Sequence, residues 1–362
     1  MFIAPSLGVV RCVALFAMSE STLELAGPLP SEPSLSTGPQ PQRSLRQVVP
    51  EDPWFTVRLI GFAAFAVGYL LWFFDKGLII DRISVGISVG IFIVIGHLGR
   101  PLRRWAWLVF DCLFYSAMWF CYEESRGWAD RAGFPLQVQA PRNVDRFLFF
   151  GTDPNVWMQR HFYNANTIRW YDKVASATYF THFIFPVIAI ALLWVTSHRE
   201  WARFMKRFST LLFVSCTMFV LLPTAPPWMV SKNYHLIGHL ARHTGRGFRA
   251  MGLKGFVNSW QSALDWGNAV AAMPSLHSAF ALFVPAFFLP RIKPVWLKAV
   301  VLCFPVVMLT ALVYFGEHWV IDGLIGWLIV GLSFLFWGWF ERRQLRVRAE
   351  RARGYLAQAV SA

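Results

Sequence analysis

The sequence predicts an all-α, polytopic membrane protein of about eight transmembrane helices, and three observations carry that prediction. First, 56% of the 362 residues are hydrophobic and only 15% are charged, against about 25% charged in an ordinary soluble domain. Second, from residue 55 onward apolar runs of about 18–23 residues recur, each long enough to cross a ~30 Å hydrocarbon core as a helix. Third, the basic residues behind the formal charge of +14 gather in short connections between these runs. No basic stripe forms on a soluble domain, so the charge reads as membrane orientation and nucleic acid is excluded as a partner.

Taken in order, residues 1–54 include "GPLPSEPSLSTGPQPQRS", rich in Pro, Ser and Gly without an apolar period, which predicts a disordered cytoplasmic tail. Residues 1–17 lack the basic start and cleavage site of a secretory signal, and a translation start at Met18 is the simpler reading. The spans are read at 56–74, 78–98, 105–122, 174–196, 207–225, 268–290, 296–316 and 319–340, the first two parted by a turn near Asp75 and Lys76. Residues 55–122 form accessory helices. Residues 123–340 are expected to form the main membrane domain, the one that carries the catalytic candidates named below, with outer loops 123–173 and 226–267, and 341–362 a basic cytoplasmic tail.

Arg100, Arg103 and Arg104 follow the second span; Arg199, Arg203, Lys206 and Arg207 follow the fourth. Arg291, Lys293 and Lys298 follow the sixth, and the arginines from Arg342 to Arg353 the eighth. With eight spans all of these ends share one side. Both termini are then cytoplasmic, in a multi-pass protein of the plasma (inner) membrane. The loop 123–173 mixes both charge signs with aromatics and predicts a helix or two in the outer interface. The five cysteines, Cys12, Cys112, Cys121, Cys216 and Cys303, are scattered, and no pair has metal-ligand spacing.

Three segments that fall at the outer ends of spans hold the polar chemistry: "LLPTAPPWMV" (221–230), "MPSLHSAF" (273–280) and "VYFGEHWVID" (313–322). His318 and Asp322 are four apart and share a face if helix continues through them. The carboxylate then fixes the imidazole tautomer and leaves the other ring nitrogen for nucleophilic attack. Pro274 suits a first helical turn, leaving the amides of Ser275, Leu276 and His277 at a positive helix end that fits phosphate oxygens. His277 stands just inside as a general acid, with the hydroxyls of Ser275 and Ser278 beside it. A nucleophile, an orienting acid, a general acid and phosphate-binding amides together fit phosphoryl transfer through a phosphohistidine with no cofactor and no metal. Neither a Gly-rich phosphate loop nor a paired acidic cluster is present.

"PSLHS" and "HWVID" resemble the second and third signature motifs of the type 2 phosphatidic acid phosphatase superfamily. "APPW", and "PSLH" in place of the "PSGH" of simple phosphatases, are most similar to its inositol phosphorylceramide synthase and inositolphosphotransferase branch. The resemblance covers roughly residues 145–338. It implies a six-helix catalytic core with an outward-facing, metal-independent site, His318 as nucleophile, Asp322 as its partner and His277 as general acid. The chain departs from the simple phosphatases in having Leu312 where a Ser-Arg pair is expected before the nucleophile, and no clean first motif near 221–230.

Phosphate must then be held by other cations. Arg242, Arg246, Arg249, Lys232 and Lys254 form the obvious pool, with Arg160 and Arg169 as further candidates. This basic loop reads equally as a solvated segment. His182, within the fourth span, is either a site residue or a packing histidine. Glu317 either tunes His318 or is simply solvated. Two of His235, His239 and His243 would share a metal only on a helix. The partners expected are a membrane lipid with a phosphate-containing headgroup and an acceptor alcohol or water. Hydrolysis of a lipid or polyprenyl phosphate is the alternative to transfer. A lipid or headgroup transporter would instead place its polar residues at the bilayer midplane.

Overall fold

A computed structural model describes residues 52–76, 82–251 and 268–361. The expected N-terminal tail, the turn after Lys76 and Lys254 thus lie almost wholly or wholly outside the described residues. The chain is all-α, and helices stand at every predicted span: α1 (Phe55–Lys76), α2 (Arg82–His97), α3 (Leu102–Trp128), α6 (Trp170–Thr196), α7 (His198–Leu221), α9 (Leu276–Phe288), α10 (Val295–Phe315) and α11 (Val320–Ser361). Among the described residues shorter helices stand in the connections: α4 (Ala140–Leu148) and α5 (Pro154–Phe162) within 123–173, and α8 (Arg246–Ala250) within 226–267, where Pro227–Met229 and Val230–Tyr234 add short turns. Among the described residues five helices are long and apolar enough to cross a membrane; Ile83–His97 and Leu276–Arg291 are apolar but shorter. The protein is a membrane protein.

Several boundaries differ from the sequence reading, each for a local reason. α7 starts at His198 rather than 207, because Ser197 caps it, its Oγ accepting from Glu200 N–H at 3.4 Å, with Glu200 at the capping-box position. Most of the expected basic loop is therefore helix. Its Arg207, 5% exposed, donates to both oxygens of Glu341 at 2.9 and 2.8 Å and ties α7 to α11. α11 does not stop near 340. With neither Gly nor Pro between Gly338 and Gly354, its 42 residues run about 63 Å, twice a hydrocarbon core. The sixth span begins at Leu276, not 268, because the chain before it turns and is tied by isolated bridges, Thr224 bridging Gln137 on one side and Ala271 on the other.

α6 and α7 are half buried within the protein while α1 is only 6% buried, so α1 is peripheral among the described residues. The centre is a bundle of α6, α7, α9, α10 and α11, in which α9 packs on both α10 and α11. That packing requires glycine at 326: a Cβ there would stand 2.8 Å from the Ser275 carbonyl oxygen. α3 packs along α7 and continues nearly two turns beyond the expected end at 122, to Trp128.

Candidate active site

The site begins with the way α10 ends. Gly316 takes a left-handed conformation (φ +72°), which glycine adopts without steric cost. Its N–H bonds to Val313 O and that of Glu317 to Leu312 O, the pattern that closes helix C-termini. The chain turns through Glu317, His318 and Trp319 and re-enters helix at Val320. Helix therefore does not run through 318–322, as the sequence reading required. Asp322 meets His318 by folding back across the new N-terminus. Its Oδ2 accepts the Trp319 N–H at 3.0 Å and stands 3.4 Å from His318 Nδ1.

Trp319 has no oxygen with which to cap α11. The carboxylate of Asp145, from α4, supplies it instead, Oδ2 accepting Val320 N–H at 2.8 Å and Oδ1 accepting Ile321 N–H at 2.9 Å. Asp145 is fully buried, and that burial pushes its carboxyl up to about 7, with the two amides pulling the other way. α5 secures the rest of the turn. Asn155 Nδ2 donates to the carbonyls of Val313 and His318 at 2.9 and 3.0 Å. Gln159 Nε2 donates to Tyr314 O and Ala241 O, both at 2.9 Å. The "APPW" segment lies under it, Trp319 Nε1 donating to Ala225 O at 2.9 Å and Trp228 N to Gly316 O at 3.0 Å. The turn's backbone is thus fixed from three directions.

α9 brings the second motif against this turn. Ser275, not Pro274, is its N-terminal cap; its Oγ accepts from Ser278 N–H at 3.4 Å. The Ser275 amide is not free, because it donates to Asp322 O at 2.9 Å. Of the three amides expected to face phosphate, this one is spent joining α9 to α11. His277 Nδ1 stands 3.3 Å from His318 Nε2. The carboxylate of Asp322 only accepts, which assigns the proton to His318 Nδ1. His318 Nε2 then carries a lone pair, and His277 Nδ1 a proton directed at it. The histidines touch rather than face each other across a gap. A phosphoryl group between them requires the rings to part by about 3 Å.

The other candidates divide. His182 joins the group, its ring centroid 4.0 Å from that of His277 and stacked on Phe280. Tyr179, overlooked in the sequence, also packs against His277, with ring centroids 4.6 Å apart. Arg242 stands beside the turn, its Nε 2.7 Å from Glu317 Oε1 and its guanidinium 4.7 Å above the Trp228 ring. Glu317 is thus a buried ion-pair partner and not a solvated residue. Ser278 Oγ lies against Gly323 of α11. Arg246 is drawn off to the carbonyls of Asn164, Ala165 and Thr167, and Arg249 is exposed on α8. His235, His239 and His243 do not lie on a helix. His243 is buried, donates from Nδ1 to Ala241 O at 2.9 Å and is pushed down to about 4 by that burial. Among the described residues no three His, Cys, Asp or Glu side chains are grouped to hold a metal.

The PAP2 superfamily is matched over residues 142–336. The chain belongs to the PAP2 superfamily. That makes it an enzyme of the lipid phosphatase and phosphotransferase class, acting on a lipid phosphate. No curated protein and no solved structure matches the chain. The PAP2 match begins just before Asp145 and ends within α11, so it takes in both histidine motifs, the turn and the side chains that brace it. Leu312, at the place of the cation expected in PAP2 phosphatases, is fully buried in the core with Met308 and Phe315, so no cation enters from that face of α10. Asn155 and Gln159 were legible only as a polar i, i+4 pair; nothing in the sequence names their partners more than 80 residues away.

Proposed function

We propose that this protein is a membrane phosphotransferase that moves a phosphoryl-alcohol headgroup, of the inositol phosphate type, from a lipid donor to an acceptor alcohol at the outer membrane face. The observation that carries the chemistry is the chain Asp322–His318–His277, at 3.4 and 3.3 Å. His318 Nε2 attacks phosphorus and forms an N–P bond as the P–O bond to the lipid alcohol breaks. The departing oxygen takes the proton of His277 Nδ1. Asp322 stabilises the resulting phosphorylated imidazolium. In the second half the acceptor hydroxyl gives its proton back to His277, its oxygen attacks phosphorus, and the N–P bond breaks. Arg242, next to the turn, holds non-transferring oxygens. The transfer branch is supported by "APPW" and "PSLH" and by the role of the former beneath the turn. The outer placement is supported by the charge of the connections: both motifs lie at the ends of spans opposite the basic clusters.

The test is turnover of phosphatidylinositol, phosphatidic acid and a polyprenyl pyrophosphate by the purified full chain, with and without acceptor lipids or glycans. Transfer of the inositol phosphate headgroup is expected, with no change on adding EDTA and total loss in His318→Ala. Release of inorganic phosphate alone would give hydrolysis in place of transfer. Full activity of His318→Ala would end the mechanism.

A further inference from the structure

The proposed chemistry asks His277 for a proton that a neutral imidazole cannot give alone. With its Nδ1 proton directed at His318 Nε2, 3.3 Å away, a neutral His277 holds only a lone pair at Nε2. Surrender of the Nδ1 proton to the departing oxygen would leave the ring an anion, too basic to form in a buried site. A proton must therefore reach Nε2 as Nδ1 loses one. His277 Nε2 is shielded from solvent and bonded to no described residue.

α6, which packs on α9, brings a second imidazole to this ring. The His182 centroid stands 4.0 Å from that of His277, with the planes inclined at 33°. His182 Nδ1 is likewise shielded and bonded to no described residue. Two touching imidazoles, each with one buried nitrogen unsatisfied, are an exception that calls for a cause. Packing does not supply it. The His182 ring stacks on Phe280 at 5.0 Å and 10° and meets Phe183 edge-on at 4.7 Å. A phenyl ring would make the same contacts without burying a polar atom. Tyr179 and Phe183 also pack on His277, with centroids at 4.6 and 6.0 Å, and Phe280 packs in turn on Phe208 of α7 at 5.0 Å. Aromatic rings thus fix both imidazoles in place.

We propose that His182 is the proton partner of His277, and that the pair carries one proton more than two neutral rings while a lipid phosphate is bound. This rests on the phosphohistidine reading above. As the P–O bond breaks, the departing oxygen takes the proton of His277 Nδ1, and His277 Nε2 takes the added proton from His182 Nδ1. The rings lie nearer face to face than edge to edge, which does not align an N–H···N bond, so one water held by both nitrogens carries the transfer. Both rings end neutral. In the second half the acceptor hydroxyl returns its proton to His277 Nδ1, and Nε2 passes one back to His182. The anionic phosphate matches the charge of the pair, so neither charge is buried alone. His182 is thus a positioning residue, outside both histidine motifs, that acts on the reaction through His277.

The test is the dependence on the leaving group, with the full-length protein in detergent. Phosphatidylinositol and phosphatidic acid lose a lipid alkoxide, which needs a proton; the p-nitrophenyl esters of inositol phosphate and of phosphate lose a phenolate, which does not. The pair of esters that the protein turns over gives the comparison. His182→Phe, which keeps the stack on Phe280, is expected to lose about 100-fold in turnover of the lipid, and to show a loss at least about tenfold smaller with the matching p-nitrophenyl ester. A second measurement needs no variant. In mixtures of H2O and D2O the wild-type rate on the lipid is expected to fall along a curve, as it does when more than one proton moves. Equal losses on the two esters, wild-type lipid turnover in His182→Phe, or a straight line in the wild type would overturn the role of His182 alone. No turnover of any of these esters by the wild type, or turnover that survives in His318→Ala, would overturn the phosphohistidine reading and this inference with it.

Discussion

Replacing Asp145 by Asn tests how the reactive turn is held. The carboxylate accepts two amide protons at the first turn of α11, at 2.8 and 2.9 Å, from a fully buried position. The amide keeps one acceptor and turns an NH2 group toward the other N–H. One of the two accepted bonds is lost and one buried donor is orphaned. The gain is that a costly buried charge is removed. The net cost is about 2 kcal/mol, or about 3 °C in melting temperature. Because Val320 and Ile321 stand two and three residues after His318, the turn that carries it shifts, and a displacement below 1 Å lowers turnover by about 10–100-fold. The pH dependence has a definite sign. The Asp145 carboxyl rises from 3.8 to about 7 on folding, so the folded state holds the proton more tightly than the unfolded chain does. Its stabilising contribution is complete below about pH 4 and declines as pH rises toward 7. The Asn variant lacks this decline, so its deficit is smaller at about pH 8 than at about pH 5. Intrinsic tryptophan fluorescence during heating at both pH values, with lipid turnover measured alongside, reads all three effects. A variant with unchanged melting temperature and full turnover would refute the cap as the device that positions His318.

Other substitutions probe different parts. Gly326→Ala puts a methyl group 2.8 Å from Ser275 O, about 0.6 Å short of the 3.4 Å at which ordinary contact begins; a loss of about 1–3 kcal/mol and of most turnover is expected, in thermal melts and the lipid assay. Asp322→Asn still accepts the Trp319 N–H but no longer stabilises a charged His318, and turnover should fall about 10²–10⁴-fold with the melting temperature little changed. Glu341→Ala strands the buried Arg207 and should cost about 3 kcal/mol, yet leave the KM of the folded protein as it was. Wild-type melting in that variant would show the α7–α11 ion pair to be without weight.

The spans were legible because each is a continuous apolar run, and hydrocarbon leaves the backbone no alternative to helix. Their ends were less legible, because capping is local and polar. Ser197 with Glu200 begins α7 within a basic stretch that reads as loop, and the arginine-rich end of α11 stays helical for want of a breaker. In the site, the residue types and spacing of His277, His318 and Asp322 pointed to the chemistry, and the structure brings these three side chains within hydrogen-bonding range. The basic loop pointed to phosphate in general, but which arginine stands near the histidines depends on competing partners, and Arg246 is engaged elsewhere.

By itself, then, the sequence determined an all-helical membrane protein with two histidine motifs at one end of its spans, since periodicity and composition act through nearest neighbours along the chain. Only the tertiary structure decided that Asp145 caps α11 across 175 positions and that Asn155 and Gln159 fasten the turn. The physical reason is that buried polar groups must find partners wherever packing brings them. Those partners come from distant positions on helices whose own sequence signals report only that they are helices.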